Sequence, residues 1–145
     1  MASSVRGQAE KLLLSEALLI LQEHGQAVQQ FLTATLHSSP LRSPTDLIFV
    51  PDSGPQQGVE FVIELKCSRN ARLDNAWLDF ALSASRRIHA ANWNMTLKFI
   101  LATTASLSEK QWTWVREQKL EVFDRITDGR DLASRLLKMA GLKSA

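Results

Sequence analysis

The run Val59-Glu60-Phe61-Val62-Ile63-Glu64-Leu65-Lys66-Cys67 constrains this chain more than any other part of it. It is rich in β-branched and aromatic residues, yet Glu60, Glu64 and Lys66 recur through it. Successive strand side chains point to opposite faces, so Phe61, Ile63, Leu65 and Cys67 share an unbroken apolar face. Glu60, Val62, Glu64 and Lys66 share the other. A second β-rich run, Asp46 to Val50, precedes it across a turn-rich Pro51 to Gly58, and the pair reads as an antiparallel hairpin. On the first strand Leu47 and Phe49 face one way, and Asp46, Ile48 and Val50 the other. Pairing Val50 with Val59 sets Asp46 opposite Ile63 and next to Glu64. A one-residue adjustment in the turn would bring the two carboxylates side by side, with Lys66 one step beyond.

The flanking sequence supplies helices. Residues 4–24 read as a helix with leucines on most sides, capped by Ser3 or Ser4 and ended by Gly25. Residues 26–37 fit helical spacing through Val28, Phe31, Leu32, Thr35 and Leu36, while Thr33 and Thr35 suit a strand. The two prolines of 37–46 make a loop. Leu73, Ala76, Trp77, Phe80, Ala81, Ala84 and Ile88 recur at three- and four-residue intervals, predicting an amphipathic helix. A buried strand over 96–103 follows. Ser106 and Glu109 match a capping box opening a helix over 109–118. A short strand over 120–123 and a helix over 128–140 complete the order. The expected fold is α/β (α+β), a mixed β-sheet flanked by helices, in one domain over 1–145.

Composition bounds the setting. A hydrophobic share of 45% with 22% charged residues suits a globular chain, and the net charge of +2 is compatible with a polyanionic partner without requiring one. The single cysteine, Cys67, excludes a disulfide framework and points to the cytoplasm, or the nucleus in a eukaryote. No apolar run is long enough to span a membrane, so no membrane partner is expected.

Two clustered carboxylates repel unless a cation lies between them. Oxygen ligands completed by water suit Mg²⁺, with Mn²⁺ able to substitute. A protonated lysine beside them cannot ligate the metal, but it can position a water or offset charge on an attacked phosphate. Glu10 is a further candidate. On a helical wheel Leu13, Leu14, Ala17, Ile20 and Leu21 cluster around its direction, and Glu16 falls off that centre. The plain alternatives are a salt bridge for Asp46, Glu64 and Lys66, and a helix-dipole contact for Glu10.

Asp46 followed by Glu64-Leu65-Lys66 at the end of an apolar strand resembles the signature of the PD-(D/E)XK nuclease superfamily. With "GQAEKLLL", "EHGQAV" and "VIELKCSRN" it looks most like the small Holliday-junction resolvase-like nucleases. The resemblance covers about two-thirds of the chain. It implies a restriction-endonuclease-like sheet with a strand between the first helix and Asp46. It further implies Mg²⁺-dependent phosphodiester hydrolysis of DNA, leaving 5′-phosphate and 3′-hydroxyl ends. Residue by residue, Asp46, Glu64 and the Leu65 carbonyl would hold the metal, Lys66 would orient the water, and Glu10 would assist. The chain lacks tyrosine, so the Gln-x-x-x-Tyr helix motif of the exonuclease branches is absent.

Pro51-Asp52 copies the family's literal dipeptide, but six residues of strand place Asp52 on the order of 20 Å from Asp46. A second acid-x-Lys triplet, Glu117-Gln118-Lys119, falls at a helix end where residues two apart do not face each other. Arg69, Arg72, Arg86 and Arg87 are candidate phosphate contacts or ordinary surface. Glu60 lies near the turn and is expected to be solvated. Cys67 reads as core, and Trp77, Trp112 and Trp114 as core or interface. Trp93 is the one tryptophan set in a loop where it could stack on a base. His24, His37 and His89 lack metal-ligand spacing. The competing functions are a DNA endonuclease, acting alone, as a homodimer or within a larger DNA-processing complex, and an inactive nuclease-fold module that binds nucleic acid or protein.

Overall fold

The computed structural model describes residues 5–24, 27–30 and 47–142. Among the described residues, four helices and five strands run in the order α1 (Val5–Glu23), β1 (Ala27–Gln30), β2 (Leu47–Val50), β3 (Glu60–Lys66), α2 (Asn75–Ala91), β4 (Leu97–Thr103), α3 (Glu109–Glu117), β5 (Glu121–Phe123) and α4 (Gly129–Met139). The strands form one sheet in the order β1-β2-β3-β4-β5, antiparallel through β3 and parallel from β3 to β5. This is the mixed, helix-flanked sheet expected from the sequence. Within the ambiguous 26–37 segment, residues 27–30 form β1, paired from Ala27↔Val50 to Gln30↔Leu47. Pairing to β2 outweighs the local helical spacing there; residues 31–37 lie outside the described residues.

The alternation read in β3 holds in three dimensions. Phe61, Ile63, Leu65 and Cys67 join Leu47 and Phe49 in one core, covered by Leu13, Leu14, Ala17 and Leu21 of α1 and by the apolar face of α4. Ile48 and Val62 face the other way, into a second core under α2 and α3. Each face buries its own set, so the sheet is the middle of three layers.

Three local expectations shift. The helix α3 is capped by Ser108, whose side chain accepts from Gln111 N–H while Gln111 reaches back, rather than by Ser106 and Glu109. The sequence offers both spacings, and the parallel bridge between Arg72 and Ser106 uses Ser106 to tie the two loops together. The buried stripe of α2 runs through Leu78, Ala81, Ala84 and Ile88, leaving Ala76 exposed and Phe80 40% exposed. The hairpin register pairs Leu47 with Ile63 and Phe49 with Phe61, one residue away from a Val50–Val59 pairing. The turn absorbs the difference, with Gly58 at φ 82° donating its N–H to the Pro51 carbonyl.

Candidate active site

The site is built at the C-terminal end of β3. Lys66, the last strand residue, is only 4% exposed. Its Nζ lies 4.2 Å from the centroid of the Trp77 ring. An ammonium taken out of water needs compensating contacts, and the negative face of an indole is one of the few apolar surfaces that supplies them. Trp77 is held by the first turn of α2, where the Asp74 carboxylate accepts the Ala76 N–H at 3.0 Å and fixes the helix start. Phe80 packs edge-on against the same ring, centroids 5.3 Å apart.

Glu64 precedes Lys66 by two residues and so shares its face. It is half-buried, and its Oε1 has no contact with solvent. Glu10 arrives from α1: its Oε2 accepts the backbone N–H of Cys67 at 3.0 Å. The contact depends on strand geometry. The Lys66 carbonyl accepts the Thr104 N–H at 3.2 Å on the β4 side. Backbone groups alternate in direction along a strand, so those of Leu65 and Cys67 project toward β2. Glu10 therefore reaches the edge of β3 onto which the Leu65 carbonyl opens. Beyond the strand, the Ser68 N–H donates to Thr104 Oγ1 at 2.9 Å, holding the exit of β3 beside β4.

Glu16 does different work. It accepts the Gly129 N–H at 2.7 Å, at the start of α4. Of Glu10 and Glu16, Glu10 is the one at the sheet end. Asp46 lies outside the described residues, and among the described residues no three His, Cys, Asp or Glu side chains gather as a metal site. Arg69 and Arg72 are exposed in the loop that leaves β3. Arg86 and Arg87 are also exposed, but nine and ten residues beyond Trp77 along α2, roughly 14 Å away at 1.5 Å per residue. The helix continues past them to Ala91. Asp52 is exposed in the hairpin turn.

Glu60 is half-buried rather than solvated, and burial raises its carboxyl pKa. Cys67 is buried, as expected of a core residue. Trp93 is 84% exposed. The His24 and His89 rings bond the carbonyls four residues back, those of Ile20 and Ser85. Trp77 is the residue that sequence reasoning undervalued. Its signal was its place on the apolar stripe at the first turn of the helix that follows the acid-x-Lys strand.

A helix, an antiparallel three-strand meander and two further strands parallel to its last make up the mixed, helix-flanked sheet, with the acid-x-Lys triplet closing its central strand. Solved structures with a similar course of the chain include protein VC1899 from Vibrio cholerae, at 15% identity over 91% of this chain and 33% of that one, TM-score 0.52. Another is AF1548, a protein of unknown function, at 14% identity over 91% of this chain and 68% of that one, TM-score 0.53. A repair endonuclease from Pyrococcus abyssi matches more distantly, at 19% identity over 86% and 48%, TM-score 0.46. The chain spans about a third of the length of the Vibrio protein. No family profile and no curated protein matches the sequence. Likeness at such identities establishes the path of the chain and leaves the chemistry to its own residues.

Proposed function

We propose that this chain is a metal-dependent DNA endonuclease hydrolysing phosphodiester bonds. The observation that carries the reading is the placement of Lys66: an ammonium buried at the end of β3, held over Trp77, with Glu64 on its own face and Glu10 fixed at the adjoining strand edge. Carboxylates and a backbone carbonyl are hard oxygen donors, which fit Mg²⁺ or Mn²⁺. Glu64, the Leu65 carbonyl and Asp46 would hold the ion, with Glu10 assisting. The Leu47↔Ile63 pairing supports the choice of Asp46, since that register, carried one residue further, would set Asp46 opposite Glu64. Bound there, the ion would supply Lewis-acid stabilisation of the phosphoryl oxygen and a more acidic water. Lys66 would orient that water or offset charge on the attacked phosphate, and Arg69 and Arg72 would engage neighbouring phosphates.

The test is incubation with supercoiled, linear, single-stranded and branched DNA, with and without Mg²⁺ or Mn²⁺. Cleavage is expected only with the metal, and a folded Lys66→Ala or Asp46→Ala protein should be inactive while Asp52→Ala cuts normally. Wild-type turnover by folded Lys66→Ala rejects the assignment. Millimolar Mg²⁺ should also raise the melting temperature in a saturable way, and Glu64→Gln should remove most of that rise. The near-complete cover over Lys66 favours a second reading, a non-catalytic module that binds DNA or protein. Absence of both cleavage and a Mg²⁺ response would select it.

A further inference from the structure

A cavity of about 420 Å³ opens between the first turns of α2 and α3, on the far side of α2 from Lys66. The helical wheel defines that separation: Asn75 and Asp79 line the cavity, and Trp77, 200° round from each, turns toward Lys66. One helix width, roughly 10 Å, separates the two places. Both sit beyond the carboxyl ends of the parallel strands, where open α/β sheets receive their ligands.

The cavity is braced. The Gln111 side-chain amide donates to the Leu73 carbonyl and to Asn75 Oδ1, each at 2.8 Å, and its Oε1 accepts the Ser108 N–H at 2.8 Å. These bonds consume Gln111 and lock the start of α3 to the start of α2. What remains on the walls is chemically mixed. Arg72 and Lys110 bring two exposed cations, Trp114 a half-buried indole, Asp79 an exposed carboxylate, and Leu73 and Leu78 an apolar floor. A bare anion has no use for the indole or the carboxylate, and an apolar ligand has none for the cations. A phosphate joined to a flat, hydrogen-bonding ring uses all of them: guanidinium and ammonium for the phosphate, indole for the ring face, carboxylate for ring N–H donors. The volume falls within the range of preformed small-ligand pockets.

We infer that this cavity binds a single nucleotide unit, a base with its phosphate, taken from an unpaired position in a DNA strand that lies across the β3 end. The inference deepens the endonuclease reading and rests on it for the choice of DNA over a free nucleotide. It names the substrate class: DNA with a nucleotide out of the stack beside the scissile phosphate.

Binding is measured in chelator with the full-length Lys66→Ala protein, so that no cleavage is needed. The probes are a labelled duplex with one bulged nucleotide, the same duplex fully paired, and free deoxynucleoside monophosphates, with the Trp114 indole N–H followed by NMR. The bulged duplex should bind about tenfold tighter than the paired one, the scale of one stacked base. Trp114→Ala should abolish the preference. Should Trp114→Ala fail to fold, the surface pair Arg72→Ala/Lys110→Ala should reduce it. A Trp114 shift with monophosphates but no preference among duplexes would keep the nucleotide site and overturn DNA as its source. Equal duplex affinities with no nucleotide-induced shift at Trp114 overturn the inference. Cleavage of paired duplex by the wild type alongside that result would leave the endonuclease reading standing, and a bulge preference in a protein that never cuts would separate the two the other way.

Discussion

Two carboxylates on α1, six residues apart, do the same thing to different ends. Glu10 accepts the N–H of Cys67 at 3.0 Å, and Glu16 accepts that of Gly129 at 2.7 Å. The Gly129 donor opens α4, where the first N–H groups of a helix lack partners within it. The two helices meet there so closely that a Cβ on Gly129 would lie 2.5 Å from the Leu13 carbonyl oxygen and 2.7 Å from the Ala17 nitrogen. Glu16 thus satisfies an amide in a tight helix–helix contact. The Cys67 donor lies just past the end of β3, beside Glu64 and Lys66, at an edge where the chain brings charge together. A carboxylate at such an edge has a second task available to it, and a carboxylate wedged between helices does not. What the contact is worth depends on its surroundings.

Substitution can break that contrast, and the largest effect is expected at Glu10. Glu10→Gln keeps the acceptor for Cys67 but removes the charge, and should slow metal-dependent cleavage by about a hundredfold, ~2.7 kcal/mol of barrier. Glu16→Gln should leave the rate unchanged. Equal rates for the two variants in a single-turnover assay would erase the distinction.

Next in size is Gly129→Ala, which forces the backbones of α1 and α4 apart. Overpacking of this kind costs about 2 kcal/mol, or a fall in Tm of about 6 °C for a chain of this size. Well below that Tm, cleavage should be normal. An unchanged thermal melt would mean that the two helices are less closely apposed than the contact distances require.

A smaller loss, about 1 kcal/mol, is expected for Glu16→Gln, from replacing a charge-assisted hydrogen bond by a neutral one. Urea denaturation would read it as a lower midpoint at unchanged slope.

The smallest effect is a pH dependence at Glu60, whose carboxyl pKa is raised from 4.5 by burial. A carboxyl raised in the folded state favours folding while protonated. Its contribution is fully present below 4.5 and is lost as pH rises through the folded value. At neutral pH the charged Glu60 is a small net cost, discounted because the residue remains partly exposed. Glu60→Gln should therefore gain a few tenths of a kcal/mol at pH 7.5 and nothing at pH 4, within the range usual for surface changes. A gain that is larger at pH 4 would reverse the assigned cause.

Short-range pattern determined much of this protein. A period of two told which residues of β3 face each core, and Pro, Gly and the flanking β-rich runs told that β2 and β3 form a hairpin. Both follow from steric rules acting within a few residues, which any sequence carries on its face. The acid-x-Lys triplet was legible for the same reason: strand alternation alone puts Glu64 and Lys66 on one side.

Tertiary structure decided whatever required choosing among equivalent local options. Residues 27–30 could have joined a helix, and pairing with β2 made them a strand. The hairpin could have closed in either of two registers, and packing of Leu47, Phe49, Phe61 and Ile63 into one core selected the pairing with Leu47 opposite Ile63. Ser106 and Ser108 both stood three residues before a capping partner, and the bridge to Arg72 took one of them. Glu10 and Glu16 sat on one helix with the same chemistry, and their distant donors gave them different roles. The indole over Lys66 comes from a residue eleven positions away, in another element. Contacts between segments far apart in sequence gain their free energy only once the layers have assembled, so no local window contains the information that ranks them.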